Sequence, residues 1–276
     1  MKPLGRLVGG IAVCLLMSCG EKQANTIAED PDDTRQFEMH TDVRFLSTIT
    51  ENKWQEAAPL VSEPLQVVDA KLIFQVRLLE TLTGAFVLAD NAEQVRIELC
   101  GEQYPIGDNV YENDGSAEYY ELVLGNPVLS ECAVEISFEH GRQRYVRFEL
   151  PAFISLSVDD SVAERYNMQL DALQVTWPPL QRDAELSVEW TQDRLACQPT
   201  SSCDFVFTRV INSIETSYTL PANVFGVDNA AGDLLRITLG QYRYDLDIAK
   251  NGFNRDSDVE FDQRASIEYH WLSPLE

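Results

Sequence analysis

From Val68 onward the chain alternates apolar and polar positions with a period of two. Val68, Ala70, Leu72, Phe74, Val76 and Leu78 share one parity, and their neighbours are mostly polar. That is the pattern of a strand with one buried face. It recurs at Val95/Ile97/Leu99, Tyr120/Leu122/Leu124 and Val134/Ile136/Phe138. Residues 139–143 contain Gly141 and predict a hairpin turn into 145–150, where Val146, Phe148 and Leu150 share a face before Pro151. No helical period persists in this stretch.

A second series begins near Ala152. Leu173/Val175/Trp177 stops at Pro178-Pro179, and Ala184/Leu186/Val188/Trp190 follows with Arg182, Glu185, Ser187 and Glu189 on the opposite parity. Phe205/Phe207, Tyr218/Leu220 and Leu235/Ile237/Leu239 come next. After Gly240 the apolar parity shifts to Tyr242/Tyr244/Leu246/Ile248, as a β-bulge would make it. Ala265/Ile267/Tyr269/Trp271 predicts the last strand, and Trp177 and Trp190 are core candidates.

Short strands separated by turn signals at intervals of roughly 8–12 residues predict an all-β protein of antiparallel sandwiches. The pattern divides it into one β-sandwich unit over 65–150 and a second over 151–276. Ahead of them, residues 41–64 read as transitional: Val43 and Phe45 alternate briefly, and Trp54 falls in a short helix before Pro59 and Pro64. Residues 20–40 are polar and acidic and read as a disordered tether. The segment 19–64 is thus expected to be a flexible acidic linker.

The first residues carry different chemistry. Lys2 and Arg6 precede an apolar run from Leu7 to Met17, too short to span a bilayer as a helix but the length of a secretory signal core. Leu16-Met17-Ser18-Cys19 then resembles the lipobox of bacterial lipoproteins. The resemblance implies cleavage after residue 18, so that 1–18 is a signal peptide. It also implies diacylglycerol on the Cys19 thiol and an acyl chain such as palmitate on its new amine. Two or more chains make membrane attachment effectively permanent. Gly20, in place of an Asp, implies the outer membrane of a Gram-negative bacterium. The stretches around Leu173–Trp177, Tyr218-Thr-Leu-Pro-Ala and the closing strand resemble immunoglobulin- and fibronectin-III-like patterns of uncharacterised proteobacterial lipoproteins over residues 65–276. No activity is implied by that likeness.

The formal charge is −24, and losing Lys2 and Arg6 with the signal makes the mature chain two charges more negative. Such a surface repels nucleic acid and anionic lipid, so the membrane is reached through the acyl chains alone. Of six cysteines, Cys14 leaves with the signal and Cys19 is acylated. Cys100, Cys132, Cys197 and Cys203 remain, an even number that reads as two disulfides after export. Three pairings are open, with Cys100–Cys132 and Cys197–Cys203 favoured because each staples one half of the chain.

No nucleophile elbow, zinc-protease helix, P-loop or dinucleotide fingerprint occurs, and a non-enzymatic protein is expected. No cofactor is expected, with Ca²⁺ the one cation the loops suggest. Asp108 and Asp114 mark one acidic loop and Asn254, Asp256 and Asp258 another, although neither has EF-hand spacing and Arg255 opposes a cation in the second. Tyr104, Tyr111 and Tyr119 form a candidate aromatic platform for a glycan or an envelope protein. The expectation is a lipid-anchored binding or scaffold module of unknown ligand. The alternatives are a calcium-assisted adhesin or carbohydrate-binding surface protein, and an envelope hydrolase without a sequence motif.

Overall fold

The computed structural model describes residues 35–54, 66–113, 117–127, 131–158, 171–192, 204–226 and 233–272. The signal peptide, Cys19, the first part of the tether, Asp114 and Cys197 and Cys203 lie outside them. The first strands are β1 (Phe37–Trp54), β2 (Gln66–Glu80), β3 (Val95–Leu99), β4 (Glu102–Pro105), β5 (Val110–Asn113), β6 (Ala117–Gly125), β7 (Ala133–His140) and β8 (Arg142–Glu149). They are followed by β9 (Ser157–Val158), β10 (Leu173–Thr176), β11 (Ala184–Thr191), β12 (Asp204–Ile211), β13 (Ser217–Leu220), β14 (Leu234–Asp245), β15 (Ala249–Asn251) and β16 (Asp258–Leu272). The chain is all-β, in sandwich layers whose strands pair antiparallel, with one exception among the described residues.

Eight strands form one sheet in the order β12-β11-β14-β16-β1-β2-β6-β5. Two smaller sheets, β15-β8-β7-β3-β4 and β13-β10-β9, pack on the same face of it. The parity of β1 explains why one face serves both. Phe37, Met39, Val43 and Phe45 enter the first core, and Ile49, of the same parity, packs against the second. On β16, Val259 and Phe261 belong to the first core, whereas Ala265, Ile267 and Tyr269 belong to the second. These two long strands run parallel, from His40↔Asp258 to Trp54↔Leu272, and are the exception to antiparallel pairing.

Two expectations need correction here. Residues 37–54 are neither linker nor helix but the strand at the middle of the largest sheet. Its pattern was hard to recognise because Thr41 and Ser47 occupy inward positions, Thr41 being buried. The two cores also do not follow a single cut near residue 150. After building the second core, the chain returns to the first through Tyr244, Leu246, Ile248 and Phe253, and β15 pairs with β8.

That return passes through the expected bulge. The β14–β16 register jumps between Gln241 and Tyr244, so Tyr242 and Arg243 stand opposite the single residue Asp262. The inward parity resumes at Tyr244 rather than Tyr242. The hairpin at Gly141 also forms, with φ of +68° in a β7–β8 turn. Trp177 and Trp190 are both buried in the second core. Cys100 and Cys132 are disulfide-bonded and join the end of β3 to the start of β7.

Candidate functional site: the open face of the large sheet

Because both smaller sheets cover one face, the other face of the eight-stranded sheet has no layer over it among the described residues. Strand parity places its side chains. Glu38, His40, Asp42 and Arg44 on β1 point this way, as do Gln75 on β2 and Glu121 on β6, and Gln75 Nε2 donates to Glu121 at 2.9 Å. His40 Nδ1 lies 2.9 Å from Asp258 across the parallel pair. Arg264 pairs with Asp262 at 2.9 Å. Arg236 bridges Glu268 at 2.7 Å and Glu189 at 3.4 Å, and the hydrogen bond it donates to Glu268 holds its guanidinium pKa above the ordinary range.

The expected tyrosine platform is assembled in part. Tyr111 and Tyr119 are directly paired on β5 and β6 and stack on the open face, with ring centroids 5.9 Å apart. Tyr104 does not join them. It sits on β4 in a covering sheet, opposite the buried Ile97, and packs at the edge of the first core. Burial, then the neighbouring Glu102, raises its phenol pKa.

The acidic loops do not gather into a cage among the described residues, where no group of three or more His, Cys, Asp or Glu is placed to hold a metal. Asp108 is exposed in the turn before β5, and β5 carries the chain away from it. In the second loop each candidate side chain has its own neighbour. Asn254 donates to Glu38 and accepts from the Arg255 amide, Asp256 lies 3.5 Å from Arg255, and Asp258 faces His40.

Sequence reasoning missed the middle of the open face. Tyr242, thrown outward by the bulge, lays its ring across Gly240, where a Cβ would come 2.8 Å from Tyr242 Cζ. Arg264 is stacked 4.9 Å from the ring centroid. Burial first, and Glu185 second, raises the Tyr242 phenol pKa. The parity shift after Gly240 was the available signal, but it does not say which bulge residue turns outward.

No family model matches the chain, and no curated protein matches it. Among solved structures, the chain is similar to the yeast delta-COP-I mu-homology domain at 6% identity, covering 85% of this chain and 97% of that one, with a TM-score of 0.28. The same yeast domain complexed with a Dsl1 WxWxV peptide gives a TM-score of 0.25 at 6% identity, covering 85% and 98%. The IG1+IG2 domains of DIP-gamma give 0.18 at 9% identity, covering 85% and 98%. Scores this low carry no argument, and the fold rests on the strand pairing itself: an all-β protein of sandwich layers sharing one long sheet.

Proposed function

We propose that this chain is a lipid-anchored envelope lipoprotein, fastened through acyl chains on Cys19 at the outer membrane of a Gram-negative bacterium. In this reading it acts as a non-enzymatic binding module. The observation that carries the reading is the one-sided build, in which two sheets cover one face and, among the described residues, leave a polar and aromatic face open. The lipobox resemblance and the acidic surface support the anchor, since a chain this negative gains little from adsorption to anionic lipid.

The anchor is tested by detergent phase partitioning with and without Cys19→Ser. The native chain should enter the detergent phase and incorporate labelled palmitate, and the variant should stay aqueous and unlabelled. The binding face is tested with photocrosslinking residues at Tyr111 and Val210 on the open face and at Arg142 on a covering sheet. Discrete envelope adducts from the first two positions only are expected. Equal adducts at all three, or none, would remove the reading.

A further inference from the structure

One row of side chains on the open face is made wholly of small hydroxyls. Thr48 on β1 pairs with Ser266 on β16, Ser266 with Thr238 on β14, Thr238 with Ser187 on β11, and Ser187 with Thr208 on β12. All five lie at the parity opposite the core residues of their strands. Four strand spacings of about 4.8 Å make this floor roughly 19 Å long.

On β16, β14 and β11 the rows on either side are tall. Toward one end of the strands stand Arg264, the Tyr242 ring over Gly240, and Glu185. Toward the other stand Glu268, Arg236 and Glu189, joined as one ion-paired triad. On β12, Val210 and Val206 flank Thr208 and are both exposed. The hydroxyls of Ser266, Thr238 and Ser187 therefore lie at the bottom of a trough that crosses β16, β14 and β11, and the row runs out at each end, where Thr208 lies between valines of its own size and Thr48 between Leu46 and Thr50.

The floor and one wall of the trough present groups that a ligand can use. Ser187 is 9% exposed on the open side of the sheet, and beside it Thr238 Oγ1 and Ser266 Oγ hydrogen-bond to each other at 2.9 Å, which leaves that pair one donor and its remaining lone pairs for a ligand. Ser187 stands between Glu185 and Glu189 on its strand, and all three take the outward parity of β11. Tyr242 is 44% exposed although its ring lies against Gly240 and Arg264. It offers an amphipathic surface beside the hydroxyl floor.

The walls choose among ligands. Three carboxylates (Glu185, Glu189, Glu268) face two guanidiniums (Arg236, Arg264), and Asp262 already engages Arg264. An anionic polymer meets a net negative wall and is disfavoured. A peptide strand adds to a sheet at its edge through main-chain hydrogen bonds. Here the trough runs across strands whose main chains are already paired, so recognition falls to side chains. Hydroxyls that donate and accept, carboxylates that accept from O–H, and an exposed ring to meet a sugar's C–H face together fit a neutral polyhydroxylated chain.

We infer that the trough floored by Ser266, Thr238 and Ser187, and continued at its open ends by Thr48 and Thr208, is a binding site for a neutral oligosaccharide, seated on Tyr242 and holding roughly two hexose units between its walls at the strand spacing. This deepens the binding-module reading and rests on it.

The test is calorimetric titration of the full mature chain, held in a detergent without a sugar headgroup. The probes are cellohexaose, maltohexaose and chitohexaose, with hexalysine as the cationic comparison. At least one hexasaccharide should bind. Tyr242→Ala should weaken it at least tenfold and Thr238→Val, which keeps the β-branched shape, about fivefold. Ile214→Ser, in the exposed turn after β12, should leave it unchanged. Unchanged melting temperatures would separate these losses from misfolding. The inference is overturned if no hexasaccharide binds, or if binding ignores both trough substitutions. Binding of hexalysine alone, lost in Glu189→Gln, would also overturn it while keeping the binding module. Should the sugars fail while open-face crosslinks persist, only this inference falls; absent crosslinks remove the broader reading.

Discussion

Gln263 donates from Nε2 to Oε1 of Gln241 at 2.7 Å, side chain to side chain, and both residues are buried where the two cores meet. The remaining groups of the pair reach outward. Gln263 Oε1 accepts from the Ile154 amide at 3.0 Å, and Gln241 Nε2 donates to the Arg182 carbonyl at 2.7 Å. The amides thus tie the connector leaving β8 to the segment entering β11. A buried polar network of this kind is satisfied only as a whole.

Replacing either glutamine by leucine strands partners on both sides. Gln263→Leu leaves the Ile154 amide and the Gln241 carbonyl without a bond, at a cost of about 2–4 kcal/mol. Gln241→Leu should cost a similar amount through the Arg182 carbonyl. The double variant should cost less than the two singles together. Urea denaturation of all four proteins checks this, and strict additivity would show that the pair does not act as a unit.

The shared strands make a second expectation. Because β1 and β16 contribute side chains to both cores, neither core should retain its sheet when the other melts. Phe74→Ala in the first core and Ile237→Ala in the second are expected to destabilise by about 3–5 and 2–5 kcal/mol respectively. Both should shift one common transition. Tryptophan fluorescence, with Trp177 and Trp190 buried in the second core, should coincide with far-ultraviolet circular dichroism. Two separated transitions would mean independently folding units.

Much of this fold follows from alternation, and the exceptions have physical causes. Strands such as β3 and β7 bury every second residue cleanly and could be placed from sequence. β1 could not, because its inward row includes Thr41 and Ser47 and its outward row holds Leu46. The trough was hidden differently. Thr48, Ser187, Thr208, Thr238 and Ser266 each look like an ordinary polar half of a strand, and only the pairing across β1, β16, β14, β11 and β12 aligns them. Register between distant strands is set by packing and turns, which local pattern does not encode. Tyr111 and Tyr119, close in sequence on neighbouring strands, could be anticipated; Tyr104 could not be kept out, because nothing local says that β4 joins the other sheet.

Tyr120 supplies a pH dependence. It is buried on β6, donates to the Val87 carbonyl at 2.6 Å and accepts from the Ala89 amide at 2.7 Å. Burial, partly offset by the Ala89 amide, pushes its phenol pKa from 10.0 up to about 12. Above pH 10 the unfolded chain loses this proton while the folded chain keeps it. Its contribution is therefore complete below pH 10 and is lost as pH rises toward 12. Tyr120→Phe should cost about 1–3 kcal/mol near neutrality. It should also flatten the decline of stability above pH 10, read from urea midpoints. An unchanged slope would assign that decline to other groups.

The Cys100–Cys132 disulfide closes a loop with a sequence separation of 32 residues that contains β4, β5 and β6. Those strands divide between two sheets, so the crosslink restrains the segment that passes from one layer to the other. On the loop-entropy model, losing the bond costs roughly 3–4 kcal/mol. Cys100→Ala with Cys132→Ala should lower the urea midpoint accordingly. The oxidised native chain should resist proteolysis within 101–131 better than the variant. Equal cleavage rates would mean that the sheets hold this segment without the bond.

Gly240 connects the bulge to the open face. A methyl there would lie 2.8 Å from Tyr242 Cζ and 3.0 Å from its hydroxyl, closer than nonbonded atoms stay. The obstacle is the far end of a flexible side chain, so the ring should swing away and the backbone should hold. Gly240→Ala is then expected to change stability by less than about 1 kcal/mol, because the added β-carbon restricts the unfolded chain and offsets part of the displacement. The displaced phenol would leave Glu185 and become better hydrated, so its raised pKa should fall back toward 10.0. Carbon-13 NMR titration of labelled tyrosine, assigned with Tyr242→Phe, reads this shift. A Tyr242 pKa that stays raised in the alanine variant would mean that the ring does not depend on Gly240 for its position.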